Sequence, residues 1–460
     1  MKTNKIRLAM FLLIFIIFFI YIDIETGNAI AFNSTENISN GHAQGLASGT
    51  SSHALDININ NRQIYYSGIT NGNFPSKFGV YNPNTNSSIN LTIPSVESLE
   101  LVTTLYASQI NSIFYGGVTA FVIYNESINK STDLSYKLPP STQIYSMSYS
   151  PIDNITYMAG VKTSVSGVFL LYNLSSDSIT NITKLTILNS SENGVDTIYT
   201  IVYDNITNNV FFAGGFGGGS CLKQHPPQFG RYNISTNLTT NLTPSSWYNR
   251  GDGAVYSMDI DSNNRIIFLG ISRGCSNSNV NNELWSYNIT SNSFINLTPA
   301  ISWLPTTNSD ATNQFTGMSI NTKRNRLYFA LINYEIFGYY NYKTNTSENL
   351  SGTDLNNFVG RSAGINGLII DSIKDLVYII FYGGLAVYNP NSIPISANVS
   401  ITELPLQTGN NAKGHCNYSD ADNDVAGGNQ TYWYANKTLI LEANNSFTLL
   451  TGNITTNSNI

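Results

Sequence analysis

A group of aromatic and cationic side chains in the longest loops of this 460-residue sequence could bind a ligand. The loops span residues 217–229, 244–253, 272–282 and 299–314, and the side chains are Lys223, His225, Trp247, Tyr248, Arg250, Arg273 and Trp303. Exposed Trp and Tyr rings stack on sugars or anchor a protein partner, and cations add polar contacts. These residues therefore predict a carbohydrate or protein site. The alternative is that the Trp rings pack beneath their own loops.

Residues suited to catalysis are scarcer. The histidines are His42, His53, His225 and His415. A glycosidase needs two carboxylates about 5–9 Å apart, whereas Asp261 and Asp371 fall in strand-linking turns typical of solvated acidic residues. We therefore expect neither catalytic residues nor a nucleophile elbow, and no metal or cofactor. A carbohydrate-active enzyme that uses the mouth of a central channel is the alternative.

Two further strings resemble ligand-binding motifs but have simpler interpretations. GGFGGGS, residues 214–220, has the composition of a phosphate-binding loop without the Lys-Ser or Lys-Thr pair that should follow, so a flexible loop is favoured. SDADND, residues 419–424, spaces carboxylates like a calcium loop, but Val425 replaces the glycine of the tight turn. An Asp-rich turn is favoured there, with weak calcium binding as the alternative.

Composition limits the class of protein. Charged residues make up 11% of the chain and the formal net charge is -6, so no basic excess is available to neutralise nucleic-acid phosphates. Tyr 29 and Phe 22 against Met 6 favour β structure over helices. Because 42% of the residues are hydrophobic, the chain can build a core. We expect an all-β protein that does not bind nucleic acid.

The N-terminus predicts export. Lys2, Lys5 and Arg7 precede an uninterrupted apolar run over residues 8–22, and Ala29-Ile30-Ala31 offers small residues to a signal peptidase. Residues 1–31 are therefore a signal peptide, or an uncleaved hydrophobic helix that anchors the chain, and the only membrane contact expected is through this segment. The remaining chain is predicted to be extracellular, either secreted or tethered.

In an exported chain, Asn-x-Ser/Thr triplets are acceptors for N-glycans. The candidates chosen from the repeated pattern are Asn90, Asn237, Asn241, Asn296 and Asn349. The alternative is that turns rich in Asn, Ser and Thr create such triplets by chance.

Internal repetition is the most informative feature. A Tyr-Asn pair recurs at intervals of about 43 to 60 residues, beginning at Tyr81, Tyr124, Tyr172, Tyr232, Tyr287, Tyr340 and Tyr388. Most pairs follow an apolar stretch that ends in glycine, and in several units a polar turn and a last short segment come after the pair. Each unit thus resembles four short antiparallel strands, and the chain over residues 32–390 is predicted to be a seven-bladed β-propeller.

These units resemble the kelch family, whose blades carry a double glycine, then a tyrosine, then a tryptophan. The double glycine stands at Gly116-Gly117, Gly214-Gly215 and Gly383-Gly384. The tryptophan is missing, and its place is taken by Leu91, Leu242, Leu297 and Leu350. The resemblance implies a propeller in which second-to-third-strand loops and inter-blade links lie at one end, which gathers the long loops. Its copper-oxidase branch needs paired histidines that are not evident here.

The first and last units are expected to complete each other. The string STENIS, residues 34–39, resembles the last strand of a unit, whereas the seventh unit loses its pattern near Pro390 and Pro394. We therefore predict that the N-terminal segment supplies the outer strand of the last blade. A disordered spacer is the alternative.

A second module follows a linker at 391–405. Residues 406–460 resemble the front half of an immunoglobulin-like domain, with Cys416 in one strand and Trp433 in the next. The segment is shorter than such a domain needs, so truncation or strand addition elsewhere stays open. Cys221 and Cys275 occupy equivalent places in neighbouring units, which predicts a disulfide between them and leaves Cys416 unpartnered; two free thiols are the alternative.

These expectations together describe an exported cell-surface or secreted binding protein that presents loops on a propeller scaffold. A structural cell-envelope glycoprotein is a further alternative.

Overall fold

β-strands form most of the chain that the computed structural model describes. The described residues are 34–37, 50–70, 77–96, 100–162, 166–183, 196–216, 226–248, 253–273, 281–305, 314–332, 336–351, 364–381, 384–390, 395–402, 412–419, 430–435, 438–444 and 448–449. They fall in two units, Met1–Asn389 and Pro390–Ile460. The apolar run of residues 8–22 lies outside these ranges, and within them no helix has the length and apolar character needed to cross a membrane.

The first unit contains 28 strands in its described part. The first half comprises β1 (Ser34–Asn37), β2 (Thr50–Asn58), β3 (Gln63–Thr70), β4 (Lys77–Asn82), β5 (Ser87–Asn90), β6 (Leu101–Ala107), β7 (Ser112–Gly117), β8 (Ala120–Asn125), β9 (Lys130–Asp133), β10 (Thr142–Ser150), β11 (Ile155–Lys162), β12 (Ser166–Asn173) and β13 (Ser178–Asn181). The second half comprises β14 (Asp196–Asp204), β15 (Asn209–Phe216), β16 (Gln228–Asn233), β17 (Leu238–Asn241), β18 (Gly253–Asp261), β19 (Ile266–Arg273), β20 (Glu283–Asn288), β21 (Ser293–Asn296), β22 (Phe315–Asn321), β23 (Arg326–Leu331), β24 (Ile336–Asn341), β25 (Thr346–Asn349), β26 (Ile365–Asp371), β27 (Leu376–Phe381) and β28 (Gly384–Asn389).

These strands form seven equivalent four-stranded antiparallel groups, one for each sequence repeat, which we call sheets 1 to 7. They are β2–β5, β6–β9, β10–β13, β14–β17, β18–β21, β22–β25, and β26–β28 with β1. Sheets 4 and 5 are joined through a bridge between Gly215 and Ala254. Strands pair in chain order within each sheet, so a first, second, third and fourth strand can be named for each.

The predicted pairing of the N-terminal segment with the last sheet is confirmed. Strand β1 is the fourth strand of sheet 7, where it runs antiparallel to β28 with Ser34 opposite Asn389 and Asn37 opposite Ala386. The first strands of neighbouring sheets contact one another, and β2 of sheet 1 also contacts β26 of sheet 7. Sheets 1 and 7 bury apolar residues together, including Tyr66 and Ile380.

The Tyr-Asn pair of each repeat fixes the turn between third and fourth strands. The tyrosine hydroxyl donates to the side-chain oxygen of the residue five positions later over 2.5–2.9 Å. These pairs are Tyr81–Asn86, Tyr124–Asn129, Tyr172–Asp177, Tyr232–Asn237, Tyr287–Asn292 and Tyr340–Asn345. Each acceptor has a φ between 49° and 57°, a left-handed conformation that Asn and Asp tolerate better than most residues. We call this contact the tyrosine clip.

Aromatic cores lie between the sheets. Between sheets 4 and 5, for example, Phe211, Phe229 and Tyr287 are buried together, and Phe229 meets Tyr287 edge to face with ring centroids 5.1 Å apart. A sheet alone would leave one of its apolar faces in water, and each Å² of apolar surface left exposed forgoes roughly 25 cal/mol of stabilisation. Packing of successive sheets therefore supplies the main stabilisation of the unit.

Ion pairs join neighbouring sheets near the turns between first and second strands. Arg62 of sheet 1 contacts Asp371 of sheet 7 at 2.6 Å, and Arg265 of sheet 5 contacts Asp204 of sheet 4 at 2.6 Å. Asp204 loses solvation by burial, but hydrogen bonds from Arg265 and other donors outweigh this and lower its pKa. The predicted solvated role of Asp371 is wrong, because its side chain is fully buried in this pair. Asp261 is likewise buried and accepts a hydrogen bond from Tyr342.

The second unit contains two small sheets in its described part. Its strands are β29 (Ile395–Thr402), β30 (Ala412–Ser419), β31 (Gln430–Ala435), β32 (Thr438–Asn444) and β33 (Thr448–Leu449). Strands β29, β30 and β33 form one sheet, and β31 and β32 form the other. Cys416 is in β30 and Trp433 in β31, so the two marker residues belong to different sheets. Strand β29 lies inside the stretch assigned to a linker, 391–405, and pairs with β30.

Candidate ligand-binding face

Every first strand of sheets 1 to 7 contains one β-bulge at an equivalent position. A bulge leaves one residue out of the ladder and redirects its side chain. The extra residues are His53, Val102, Tyr145, Tyr199, Tyr256, Thr316 and Asn366. The seven bulges therefore set one residue from each sheet apart from the regular alternation of its strand.

In sheets 2, 3 and 4 a glycine of the second strand lies against the bulge. A Cβ on Gly160 would lie 1.8 Å from the carbonyl oxygen of Gln143, and one on Gly214 would lie 1.8 Å from that of Thr197. On Gly117 the distance to the carbonyl oxygen of Glu100 would be 1.7 Å. A side chain at these three positions would thus push the bulging strand away. Sheets 5, 6 and 7 form the same bulge with larger residues at the equivalent position, Ile271, Leu331 and Phe381.

Three bulge residues are tyrosines from consecutive sheets, and their rings form a continuous arc. The rings of Tyr145 and Tyr199 are 5.6 Å apart at an angle of 29°, and those of Tyr199 and Tyr256 are 4.5 Å apart at 37°. All three side chains are half-buried. We call these residues the tyrosine arc. Such partly exposed rings can stack on a ligand while their hydroxyl groups bind polar atoms.

The hydroxyl groups of the arc remain protonated near neutral pH. Tyr145 donates to Gln143 Oε1 at 2.6 Å. Burial raises its pKa, and the negative charge of Glu100 adds to the effect. Burial raises the pKa of Tyr199 to about 12 and that of Tyr256 well above its usual value. The arc therefore offers neutral phenol groups.

The arc lies at the end of the sheets from which the longest loops leave. Each bulge is near the start of a first strand, opposite the end of the second strand. Strand β15 ends immediately before residues 217–225, and β19 ends immediately before 274–280. Lys223, His225 and Arg250 lie outside the described residues. Arg273 ends β19, and its side chain is not described.

The two loop tryptophans have structural contacts, which corrects the expectation of exposed rings. Trp247 is fully buried and packs edge to face on Trp285, with centroids 5.7 Å apart. Trp303 is half-buried, stacks on Phe329 at 5.1 Å, and donates to Ser347 Oγ at 3.2 Å. The alternative interpretation, that Trp rings pack beneath their loops, therefore holds for Trp247. Loop composition does not distinguish the two cases.

Tyr248 is the predicted site residue that does reach solvent, with 45% of its surface exposed. Its hydroxyl accepts a hydrogen bond from Asn241 Nδ2 at 3.0 Å. Asn90, Asn241, Asn296 and Asn349 all lie at the exposed ends of fourth strands, whereas Asn237 belongs to a tyrosine clip. Cys221 and Cys275 lie outside the described residues.

A shallow depression of about 360 Å³ lies at the same end of sheet 5. Asn282, Glu283, Thr298 and Ile301 are among its lining residues. Asn282 is fully buried, and neither atom of its side-chain amide has a hydrogen-bond partner within the described chain. A polar ligand group here would relieve the cost of those unsatisfied atoms.

One string with the letters of a nucleophile motif is part of a β-strand instead. The string Gly270-Ile271-Ser272-Arg273-Gly274 has the letters of a nucleophile motif, which requires a turn between a strand and a helix. Ser272 instead lies buried within β19, where its Oγ accepts a hydrogen bond from the backbone N–H of Phe315 at 3.1 Å. Among the described residues, no group of three or more His, Cys, Asp or Glu is arranged to hold a metal ion.

The sheets define an all-β class of fold, and similar solved structures exist. No family model matches the chain, and no curated protein matches it. The extracellular domain of the hybrid two component system BT4673 from B. thetaiotaomicron is similar, with a TM-score of 0.54 and 11% identity over 80% of this chain and 41% of that one. A second structure of the BT4673 extracellular domain has a TM-score of 0.52 and 11% identity, over 79% of this chain and 40% of that one. A chain of the Mitotic Checkpoint Complex has a TM-score of 0.50 and 9% identity, over 78% of this chain and 93% of that one.

These likenesses concern the fold alone. The chain spans about two fifths of the length of the BT4673 chains that it matches.

Proposed function

We propose that this protein is an exported, non-enzymatic binding protein whose first unit is a closed, kelch-like, seven-bladed propeller. Contact between the first strands of successive sheets, including β2 with β26, supports closure. The pairing of β1 with β28 and the Arg62–Asp371 ion pair support it independently. The extracellular role of the BT4673 domains agrees with export, which the N-terminal segment first suggested.

The observation that carries the proposal is the tyrosine arc. Seven equivalent bulges contribute residues of different types, but sheets 3, 4 and 5 each contribute a tyrosine and their rings meet. The four longest loops predicted from the sequence all follow strands of sheet 4 or sheet 5. An aromatic surface beneath long loops favours a ligand that stacks on the rings while the loops contact its other side.

The ligand class that we favour is carbohydrate. Sugar rings present C–H faces that stack on aromatic rings and hydroxyl groups that bond to neutral phenols and amides. The arc supplies the rings, and Gln143 and Asn282 supply amides at the same end of the sheets. A protein ligand would use the loops more than the arc.

A glycan array with the full-length protein tests this function. Tyr199→Ala removes the central ring of the arc, and Tyr136→Ala removes a tyrosine that is 78% exposed on sheet 2 and serves as the matched control. We expect the first variant to raise the Kd of bound glycans about tenfold or more, the effect of losing at least 1.4 kcal/mol. The control should bind as the wild type does.

If Tyr199→Ala bound glycans with the Kd of the wild type, the tyrosine arc would not be part of the binding site. Turnover of chromogenic glycosides by the wild type would instead support a carbohydrate-active enzyme.

A further inference from the structure

A three-residue motif follows the fourth strand of the sheets. It consists of Asn or Asp, then Leu or Ile, then Thr or Ser, and we call its copies the rim triplets. The described copies are Asn90-Leu91-Thr92, Asp133-Leu134-Ser135, Asn181-Ile182-Thr183, Asn241-Leu242-Thr243, Asn296-Leu297-Thr298 and Asn349-Leu350-Ser351. The chain repeats the same pattern at Asn37-Ile38-Ser39, directly after β1. Five of the six described copies are therefore also N-glycan acceptor sequences.

Most polar side-chain atoms of a rim triplet form hydrogen bonds within their own sheet. In sheet 5, Asn296 Oδ1 accepts from the backbone N–H of Thr298 at 2.9 Å. Thr298 Oγ1 accepts from the N–H of Leu284, on the third strand, at 3.0 Å, and the N–H of Leu297 donates to the carbonyl of Leu284 at 2.9 Å. The side chain of Leu297 is buried against sheet 6.

The same contacts recur in the other sheets with little variation. The first residue accepts from the third over 2.9–3.0 Å. The third residue's hydroxyl accepts a third-strand N–H over 2.9–3.0 Å. In sheet 2, Asp133 takes the position of the asparagine and makes the same bond to Ser135 at 2.9 Å. The contacts of the triplet therefore need the side-chain oxygen and not the amide nitrogen.

The amide nitrogen is thus the one polar group of the triplet left over. Asn90, Asn181, Asn296 and Asn349 are exposed, and within the described chain their side chains bond through Oδ1 and not through Nδ2. Asn241 differs, because its Nδ2 donates to the hydroxyl of Tyr248 at 3.0 Å. Asparagines of the tyrosine clips differ in another way, since a buried tyrosine donates to their side-chain oxygen, as Tyr232 does to Asn237.

We propose that Asn90, Asn181, Asn296 and Asn349 are N-glycosylation sites that place one glycan at the outer end of each of sheets 1, 3, 5 and 6. The donor class is an oligosaccharide linked to a lipid through pyrophosphate. Asparagine Nδ2 bonds to the anomeric carbon of the first sugar, the bond from that carbon to the pyrophosphate oxygen breaks, and Nδ2 loses one proton to a base of the transferase. The folded sheets accept these glycans without losing a hydrogen bond, whereas a glycan on Asn241 would displace Tyr248.

Peptide mapping of the full-length protein tests the proposal. The protein is secreted from a host that N-glycosylates exported proteins, and glycans are removed by an amidase in water labelled with oxygen-18, which converts each occupied Asn to labelled Asp. We expect label at Asn90, Asn181, Asn296 and Asn349 and less at Asn237 and Asn241. In Tyr248→Phe, occupancy of Asn241 should increase severalfold.

Two variants separate modification from folding. Asn296→Asp imitates Asp133 and should remove one glycan, and, when both proteins are made in a host that does not N-glycosylate, it should leave the urea midpoint of the wild type unchanged. Thr298→Val removes the hydroxyl and should lower that midpoint as well as abolish the glycan. Secreted protein without label at the four rim asparagines, or with equal label at the clip asparagines, would overturn the proposal and leave the ligand-binding function untouched.

Discussion

Two half-buried carboxylates between first strands make the stability of the first unit depend on pH. Asp259 of sheet 5 accepts from the backbone N–H of Ile320 of sheet 6 at 2.8 Å and from its own neighbour Ile260 at 2.8 Å. Asp56 of sheet 1 likewise accepts from Tyr106 of sheet 2 at 2.6 Å. Burial raises the pKa of Asp56 to about 6 and that of Asp259 to about 7, against the partly compensating backbone hydrogen bonds. The charges of Asp261 and Asp56 add to the shift of Asp259.

The direction of the pH effect follows from these shifts. Unfolded aspartate has a pKa of 3.8, so between about pH 4 and pH 7 the folded state holds protons that the unfolded state has released. The free energy of unfolding therefore falls as pH rises through this window and levels off above the folded pKa values. At 1.36 kcal/mol per pKa unit the two shifts sum to about 7 kcal/mol as an upper bound. Because both side chains are only half-buried, we expect about 2–3 kcal/mol.

Urea unfolding followed by tryptophan fluorescence at pH 5, 6.5 and 8 measures the effect. The chain itself has a serine at the equivalent position of sheet 3, Ser148, which lies opposite Tyr157. Two residues earlier, Ser146 Oγ accepts from the Ile201 N–H of sheet 4 at 3.1 Å, so a serine of a first strand can bond to the next sheet. The variant Asp56→Ser/Asp259→Ser should keep the inter-sheet bonds and lose most of the pH dependence between pH 5 and pH 8. Wild-type stability that rises from pH 5 to pH 8, or a double variant with the wild-type profile, would refute the reasoning.

Two further substitutions test the bulge and the turn. Gly160→Ala places a Cβ 1.8 Å from a carbonyl oxygen, so we expect a loss of about 1–3 kcal/mol in urea unfolding; full wild-type stability would mean that the bulge does not need the glycine. Tyr232→Phe removes the hydroxyl that donates to Asn237 at 2.5 Å, so the free energy of unfolding should fall by about 1 kcal/mol, whereas an unchanged value would show that the clip adds no stability.

Much of the fold was predictable because the repeats carry their own contacts. The interval between Tyr-Asn pairs gave seven four-stranded units, and the likeness of residues 34–39 to a last strand gave the partner of β28. These features are local in sequence: a tyrosine and the asparagine five positions later form one turn. A pattern built from such contacts can be recognised without coordinates.

The candidate site was predictable only in part. The lengths of the loops indicate at which end of the sheets the site lies. The tyrosine arc depends on a register shift, which the alternation of apolar and polar residues along a strand does not reveal. The signal was present in the similar first-strand strings around Tyr145, Tyr199 and Tyr256. The expectation that Trp247 is exposed was wrong, because a short loop can bury its own aromatic side chain. The amino-acid composition of a loop does not show whether there is space for the ring beneath it.

The pairing of β1 with β28 has a consequence for how the protein is made. The partners lie about 350 residues apart, so the residues of β1 stay unpaired until nearly the whole unit has been synthesised. Contacts of such long sequence separation form slowly. Until then sheet 7 offers a bare edge strand that another chain can occupy, and folding of this protein at high concentration should favour intertwined dimers over single molecules.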